Sequence, residues 1–269
     1  MKRAPLSAPD GKRALLSRFD GKRAPRLRTA LVWLFWLALW EGVSLFLRQP
    51  LLLPSPLSVA ARLWELCLTA SFWRSVALSS SRILGGFALG CLTGVLLAIP
   101  SRAYPWVRDL LYPAVATVKA IPVASFVILS LVWLNSRSLS VFIAFLMSLP
   151  PIYLGVSEGI GNADKELLEM ARVFRVPLAR RVTGIYVPAA LPAFRTAVSL
   201  SLGLCWKAGV AAEVIGLPRG TLGERLYNAK VYFLTADLFA WTVVIISLSV
   251  CFERVFLYAL NRLSEACGV

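Results

Sequence analysis

Three runs of this chain carry no Asp, Glu, Lys or Arg: residues 83–99, 120–136 and 138–157. Each is close to the roughly 17–25 residues that an α-helix needs to cross a bilayer. The composition agrees. The chain is 58% hydrophobic, its mean hydropathy is +0.71, and only 16% of its residues are charged, against about 25% in soluble domains. These features predict an all-α, polytopic membrane protein.

Six spans are expected, at about 29–47, 76–99, 110–134, 139–157, 193–215 and 238–258. The first contains Trp33, Trp36, Trp40 and Glu41. Pro100 is expected to stop the second, and Lys119 and Pro122 to break the third. Pro150 and Pro151 lie near the end of the fourth, and Lys207 and Glu213 lie inside the fifth. Between the first two spans, LLLPSPLS leads into an amphipathic helix carrying Val59, Leu63 and Leu66. Residues 216–237 read as a loop of glycines and charges. Gly85, Gly86, Gly90 and Gly94 suit close packing of the second span against a neighbour.

The net charge of +15 raises the question of nucleic acid, but the basic residues are unevenly placed. Lys2, Arg3, Lys12, Arg13, Arg18, Lys22, Arg23, Arg26 and Arg28 all precede the first span. That is the positive-inside signal, which places the N-terminus in the cytoplasm and makes anionic lipid, not nucleic acid, the partner of this block. With six spans, Lys165, Arg172, Arg175, Arg180 and Arg181 then also fall on the cytoplasmic side. The external loops keep fewer, among them Arg62, Arg74, Arg137, Arg219, Arg225 and Lys230. KRA recurs at Lys2, Lys12 and Lys22, but three short charged copies cannot bury a core, so residues 1–28 read as a disordered tail and not as a cleavable signal peptide. Residues 263–269 form a short C-terminal tail after the span domain at 29–262.

Five scattered cysteines and the absence of histidine argue against a disulfide framework, a metal site and His-based acid–base catalysis. No phosphate-binding G-x-x-x-x-G-K-[ST] loop occurs. No catalytic residue, enzyme activity or bound cofactor is expected of this chain.

The polar exception is 164–192, reading DKELLEMARVFRVPLARRVTGIYVPAALP. Asp164 can cap a helix, with Glu166 and Glu169 in its first turns where carboxylates suit the helix dipole. Leu167, Met170, Ala171 and Phe174 recur at helical spacing and predict one apolar stripe. Pro177 then restarts the chain as a second short helix, 177–186, which Pro188 is expected to stop. The product is a two-helix hairpin at the cytoplasmic surface.

This segment resembles the EAA loop of permease subunits from bacterial ABC importers, E-A-A-x3-G-x9-I-x-L-P. The register falls on Glu169, Met170, Ala171, Arg175, Ile185, Val187 and Pro188. Arg175 replaces the family glycine, whose freedom at positive φ lets the turn close; another residue there costs about 1 kcal/mol. LLLPSPLSV, SSSRILGGFALG, KAIPVASFVIL and WKAGVAAEVIG resemble segments of the nitrate/sulfonate/taurine-type permeases. The resemblance implies a type I importer permease fold working as a homodimer. It also implies two copies of a separate ATPase that uses ATP and Mg²⁺, and an external substrate-binding protein. Glu169, Met170, Ala171, Phe174, Arg175, Ile185 and Pro188 would couple to that ATPase, and the pathway would draw on residues 119–157 and 193–213.

A charge at the bilayer centre costs roughly 2.5–3.5 kcal/mol and usually faces a cavity or a partner. Lys207, beside Trp206, therefore either lines a pathway and attracts an anion or pairs with an acid such as Glu41. Glu213 either joins that pathway or sits near the outer interface. Arg82 and Lys119 suit interfacial anchoring. The rival readings are an ion-coupled secondary transporter, which would need internal repeats, and a membrane scaffold whose hairpin recruits a cytoplasmic partner.

Overall fold

A computed structural model of the chain describes residues 24–266, which contain helices and no strand. The KRA copies and most of the expected disordered tail lie outside the described residues, as do 267–269. Helix α1 (Ala24–Leu47) begins already inside the stretch read as tail. The chain divides into two compact units, after Ser58.

In the first unit α1 is followed by an irregular, proline-rich stretch held against the helix end. The Trp40 indole N–H donates to the Pro54 carbonyl at 3.1 Å and the Ser44 hydroxyl donates to the Leu53 carbonyl at 2.9 Å. Pro56 then opens α2 (Pro56–Cys67). A proline suits the first helical position because the N–H it lacks would have no intrahelical partner there.

In the second unit Val59 is buried, with Leu63 and Leu66 packed on the core, as the amphipathic reading predicts. Three long helices form the centre: α3 (Ala70–Ala103), α6 (Ser136–Gly161) and α9 (Val187–Gly216). Both α3 and α9 pack along α6. The α3–α6 seam is made by glycine. A Cβ added at Gly86 would lie 2.2 Å from the Val141 carbonyl oxygen, one at Gly90 1.8 Å from Ser148 Oγ, and one at Gly94 2.9 Å from Ile152 Cγ2. The ascending pairs make α3 and α6 parallel. Gly85, expected in the same seam, meets nothing within 4 Å. On the other side Gly155 meets Ala197 and Gly159 meets Ala190, so α6 and α9 run antiparallel.

The third expected span is not straight. Helices α4 (Pro105–Ala120) and α5 (Val123–Ser130) meet at an angle of 104°. Pro122 forces Ile121 out of the helical region (φ −72°, ψ 130°) and has no N–H to continue the ladder. Five helices are long and apolar enough to cross a membrane, or six with the bent pair counted as one.

Pro100 does not act as expected. Pro100 lies inside α3, which runs on to Ala103, and Pro150 and Pro151 lie inside α6, which reaches Gly161. A proline removes one backbone bond but fits helical φ, and membrane helices tolerate the loss where neighbours satisfy the freed groups. The presumed loop 216–237 contains α10 (Leu222–Val231), and the last helix, α11 (Thr235–Ala266), is longer than its expected span.

Candidate functional site

The hairpin follows α6. The Asp164 side chain accepts from the Glu166 N–H at 2.9 Å, capping α7 (Lys165–Val173). The turn after α7 closes by two bonds, Val176 N–H to the Ala171 carbonyl at 2.9 Å and Arg175 N–H to the Arg172 carbonyl at 3.1 Å. This is the Schellman pattern, which needs a left-handed residue just past the helix. Arg175 takes that place at φ +50°. The Arg181 Nε–H donates to the Val176 carbonyl at 2.7 Å and braces the corner.

The second arm departs from expectation. It begins as α8 (Leu178–Arg181), passes through a π-helical turn at Val182–Tyr186 and continues directly into α9. Pro188 therefore does not end it. The Val187 N–H reaches back five residues to the Val182 carbonyl, and the widened turn absorbs the proline that follows.

The predicted apolar stripe also divides. Ala171 is turned into the protein, only 2% exposed, while Met170, Val173, Phe174 and Leu178 stand 51%, 78%, 74% and 72% exposed. Glu169 is exposed and Ile185 and Pro188 are half-buried. Val173 and Leu178 belong to this outward ridge and were absent from the predicted stripe. Val173 is the last residue of α7, three residues after Met170, while Leu178 lies across the turn, where helical spacing measured along α7 does not reach. Ordinary monomers rarely keep such contiguous apolar surface.

At the same end, a cleft of about 420 Å³ lies between α4 and α6, lined by Arg108, Tyr112, Lys119, Tyr153 and Ser157. The Ser101 and Tyr153 hydroxyls, 2.6 Å apart, tie α3 to α6 beside it.

Of the intramembrane candidates, Lys207 is exposed on the face of α9 that also presents Leu200 and Leu204. Among the described residues it makes no ion pair. Trp206 is turned the other way, fully buried and stacked on Phe252 with ring centroids 5.6 Å apart. Glu213 is fully buried too. One of its carboxyl oxygens accepts from the Ser79 hydroxyl at 2.7 Å and from the Gly223 N–H at 3.2 Å. Ser79 in turn accepts from the Leu222 N–H at 2.9 Å. Glu213 thus clasps the start of α10 onto α9 and α3, and Lys207, Trp206 and Glu213 do not share one face.

The sequence reading missed Ser79 and Gly223 as its partners. A signal for α10 was present in T-L-G-E: the Thr221 hydroxyl accepts from the Glu224 N–H and the Glu224 carboxylate from the Gly220 N–H, a variant of the capping box.

Residues 90–265 match the family described as binding-protein-dependent transport system inner membrane component. A permease protein of Escherichia coli (strain K12) named for aliphatic sulfonates transport is 30% identical over 198 residues, 73% of this chain and 74% of that one. The taurine transport system permease protein of the same organism is 26% identical over 229 residues, 83% and 82% of the two chains. The riboflavin transport system permease protein of Chloroflexus aurantiacus is 28% identical over 210 residues, 78% and 77%. The match runs from the glycine seam of α3 through the hairpin to the end of α11, and with it the chain belongs to the binding-protein-dependent transport system inner membrane components, multi-pass permeases of ABC importers.

Proposed function

We propose that this permease forms the translocation pathway for a small solute by alternating access, as a homodimer driven by two copies of a separate ATPase seated on the hairpins. The observation that carries the reading is the outward ridge of Met170, Val173, Phe174 and Leu178 on a braced, capped hairpin. Burying a side chain such as Phe174 is worth about 1.5–3 kcal/mol, and the flanking Glu169, Arg172 and Arg175 orient what covers it. ATP and Mg²⁺ belong to that partner, and a binding protein delivers solute at the opposite end. The hairpin and both chain ends face the cytoplasm, in keeping with the positive-inside rule.

Lys207 supports a pathway, or a second copy, against the outer face of α9. An ammonium left facing lipid there would cost roughly 2.5–3.5 kcal/mol. Arg108 and Lys119 add positive charge in the α4–α6 cleft, and with Lys207 they favour a sulfonate- or nitrate-like anion. Two of the relatives above are named for sulfonates and taurine, but the riboflavin permease shows that kinship is not enough to fix the cargo.

The test is co-purification of the chain with its ATPase, together with solute uptake, for Phe174→Asp and Glu169→Lys. Loss of both assembly and uptake is expected. Wild-type assembly and uptake in the two variants would overturn the coupling role.

A further inference from the structure

The end of the bundle opposite the hairpin carries a second cationic feature that the importer reading does not use. A cleft of about 440 Å³ lies between the first turns of α3 and the segment joining α9 to α10. Arg74, Arg219 and Arg225 converge on it, with Ser71, Ser75 and Gly220 between them. Among the described residues no carboxylate lies within ion-pair distance of these three guanidinium groups. Glu224 is close, but its carboxylate accepts from the Gly220 N–H at 2.5 Å and offsets at most one of the three charges.

The cleft is built, not incidental. Ser75 is buried, donates to the Ser71 carbonyl at 3.0 Å, and accepts from the Arg225 Nε–H at 3.4 Å, which sets the plane of that guanidinium. Gly220 sits at φ +79°, a conformation that turns the chain back between Arg219 and α10 and that a side chain rarely adopts. Ala70 and Ser71 of the first turn of α3 also border the cleft, which brings the positive end of a long helix to it, and Thr69, the N-cap, makes no side-chain capping bond. Three like charges gathered in one concavity repel each other unless an anion lies between them. Guanidinium forks match the paired oxygens of phosphate and sulfonate.

We propose that Arg74, Arg219 and Arg225 form a binding site for a tetrahedral oxyanion, supplied either as a free sulfate- or sulfonate-type anion or as the phosphate of a lipid headgroup. The site goes beyond the importer reading and does not depend on it.

The full-length chain, purified in detergent, is titrated with radiolabelled inorganic sulfate. In parallel it is equilibrated with phosphatidylglycerol and a galactolipid that lacks phosphate, and the retained lipid is read by native mass spectrometry. Wild type is expected to bind sulfate or to retain phosphatidylglycerol over the galactolipid. Arg219→Ser and Arg225→Ser should each weaken that binding about tenfold, the worth of one charge-assisted hydrogen bond. Arg137→Ser, at the start of α6, should leave it unchanged. Loss on the sulfate arm assigns a free oxyanion, and loss on the lipid arm assigns a headgroup. Three results overturn the site: no binding of either probe by wild type, equal binding by the variants, or an equal loss in Arg137→Ser. None of these readouts involves transport or the ATPase, so failure here is distinct from failure of the coupling role.

Discussion

The two ends of α9 are finished in opposite ways. At one end the hairpin is capped and braced yet leaves Val173, Phe174 and Leu178 uncovered. At the other, Glu213 is wholly enclosed, and its hydroxyl and amide partners come from α3 and α10. One end spends its polar bonds on sealing the chain against itself, and the other spends them on holding apolar side chains outward. Stability and assembly should therefore separate along a single helix.

The largest stability effect is expected at the sealed end. Glu213→Leu leaves the Gly223 N–H and the Ser79 hydroxyl without their acceptor inside the protein, and should lower unfolding stability in detergent by about 3 kcal/mol. Glu213→Gln, which keeps an acceptor oxygen, should recover much of it. A thermal unfolding midpoint unchanged in the Leu variant would remove the distinction between the ends. Gly223→Ala comes next. Its Cβ would lie 2.3 Å from the Glu213 Cβ and 2.5 Å from the Val214 nitrogen, so α10 has to shift, at a cost of about 2 kcal/mol by the same measurement.

The hairpin effects on stability are smaller, and one has the opposite sign. Arg175→Gly relieves the left-handed strain and should gain up to about 1 kcal/mol, less what glycine returns to the unfolded chain. Destabilisation on that change would mean that the Arg175 side chain does more than occupy the corner. Phe174→Asp should shift the stability of the isolated chain by less than about 0.5 kcal/mol, because the side chain is mostly exposed. A large loss would place Phe174 inside the fold and sharpen the comparison against the docking ridge.

The hairpin was readable from sequence because it breaks composition. Asp164, the charged run and Pro177 stand out between apolar spans, and each acts where its chemistry says it should. Pro100 and Pro188 were misread as stops. The penalty for an interior proline is one lost bond and one ring clash, and a π turn or a long packed helix absorbs both. The clasp was hidden for a different reason. Glu213 looks like a stray charge until α10 brings the Gly223 N–H to it, and α10 is short and only weakly amphipathic. Lys207 stood out as a charge inside an apolar span, but the sequence does not say which way α9 turns it, and it stands exposed beside Leu200 and Leu204.

The π turn has a mechanical consequence. Because Leu178–Gly216 is helical throughout, 39 residues long, it measures about 58 Å at 1.5 Å per residue, nearly twice the roughly 30 Å hydrocarbon thickness of a bilayer. One rod thus joins the hairpin corner to the Glu213 clasp without an intervening loop. A tilt imposed at the corner arrives at the far end as displacement and not as slack. The Val182–Tyr186 turn, where the backbone bond spans five residues, keeps that rod continuous past Pro188.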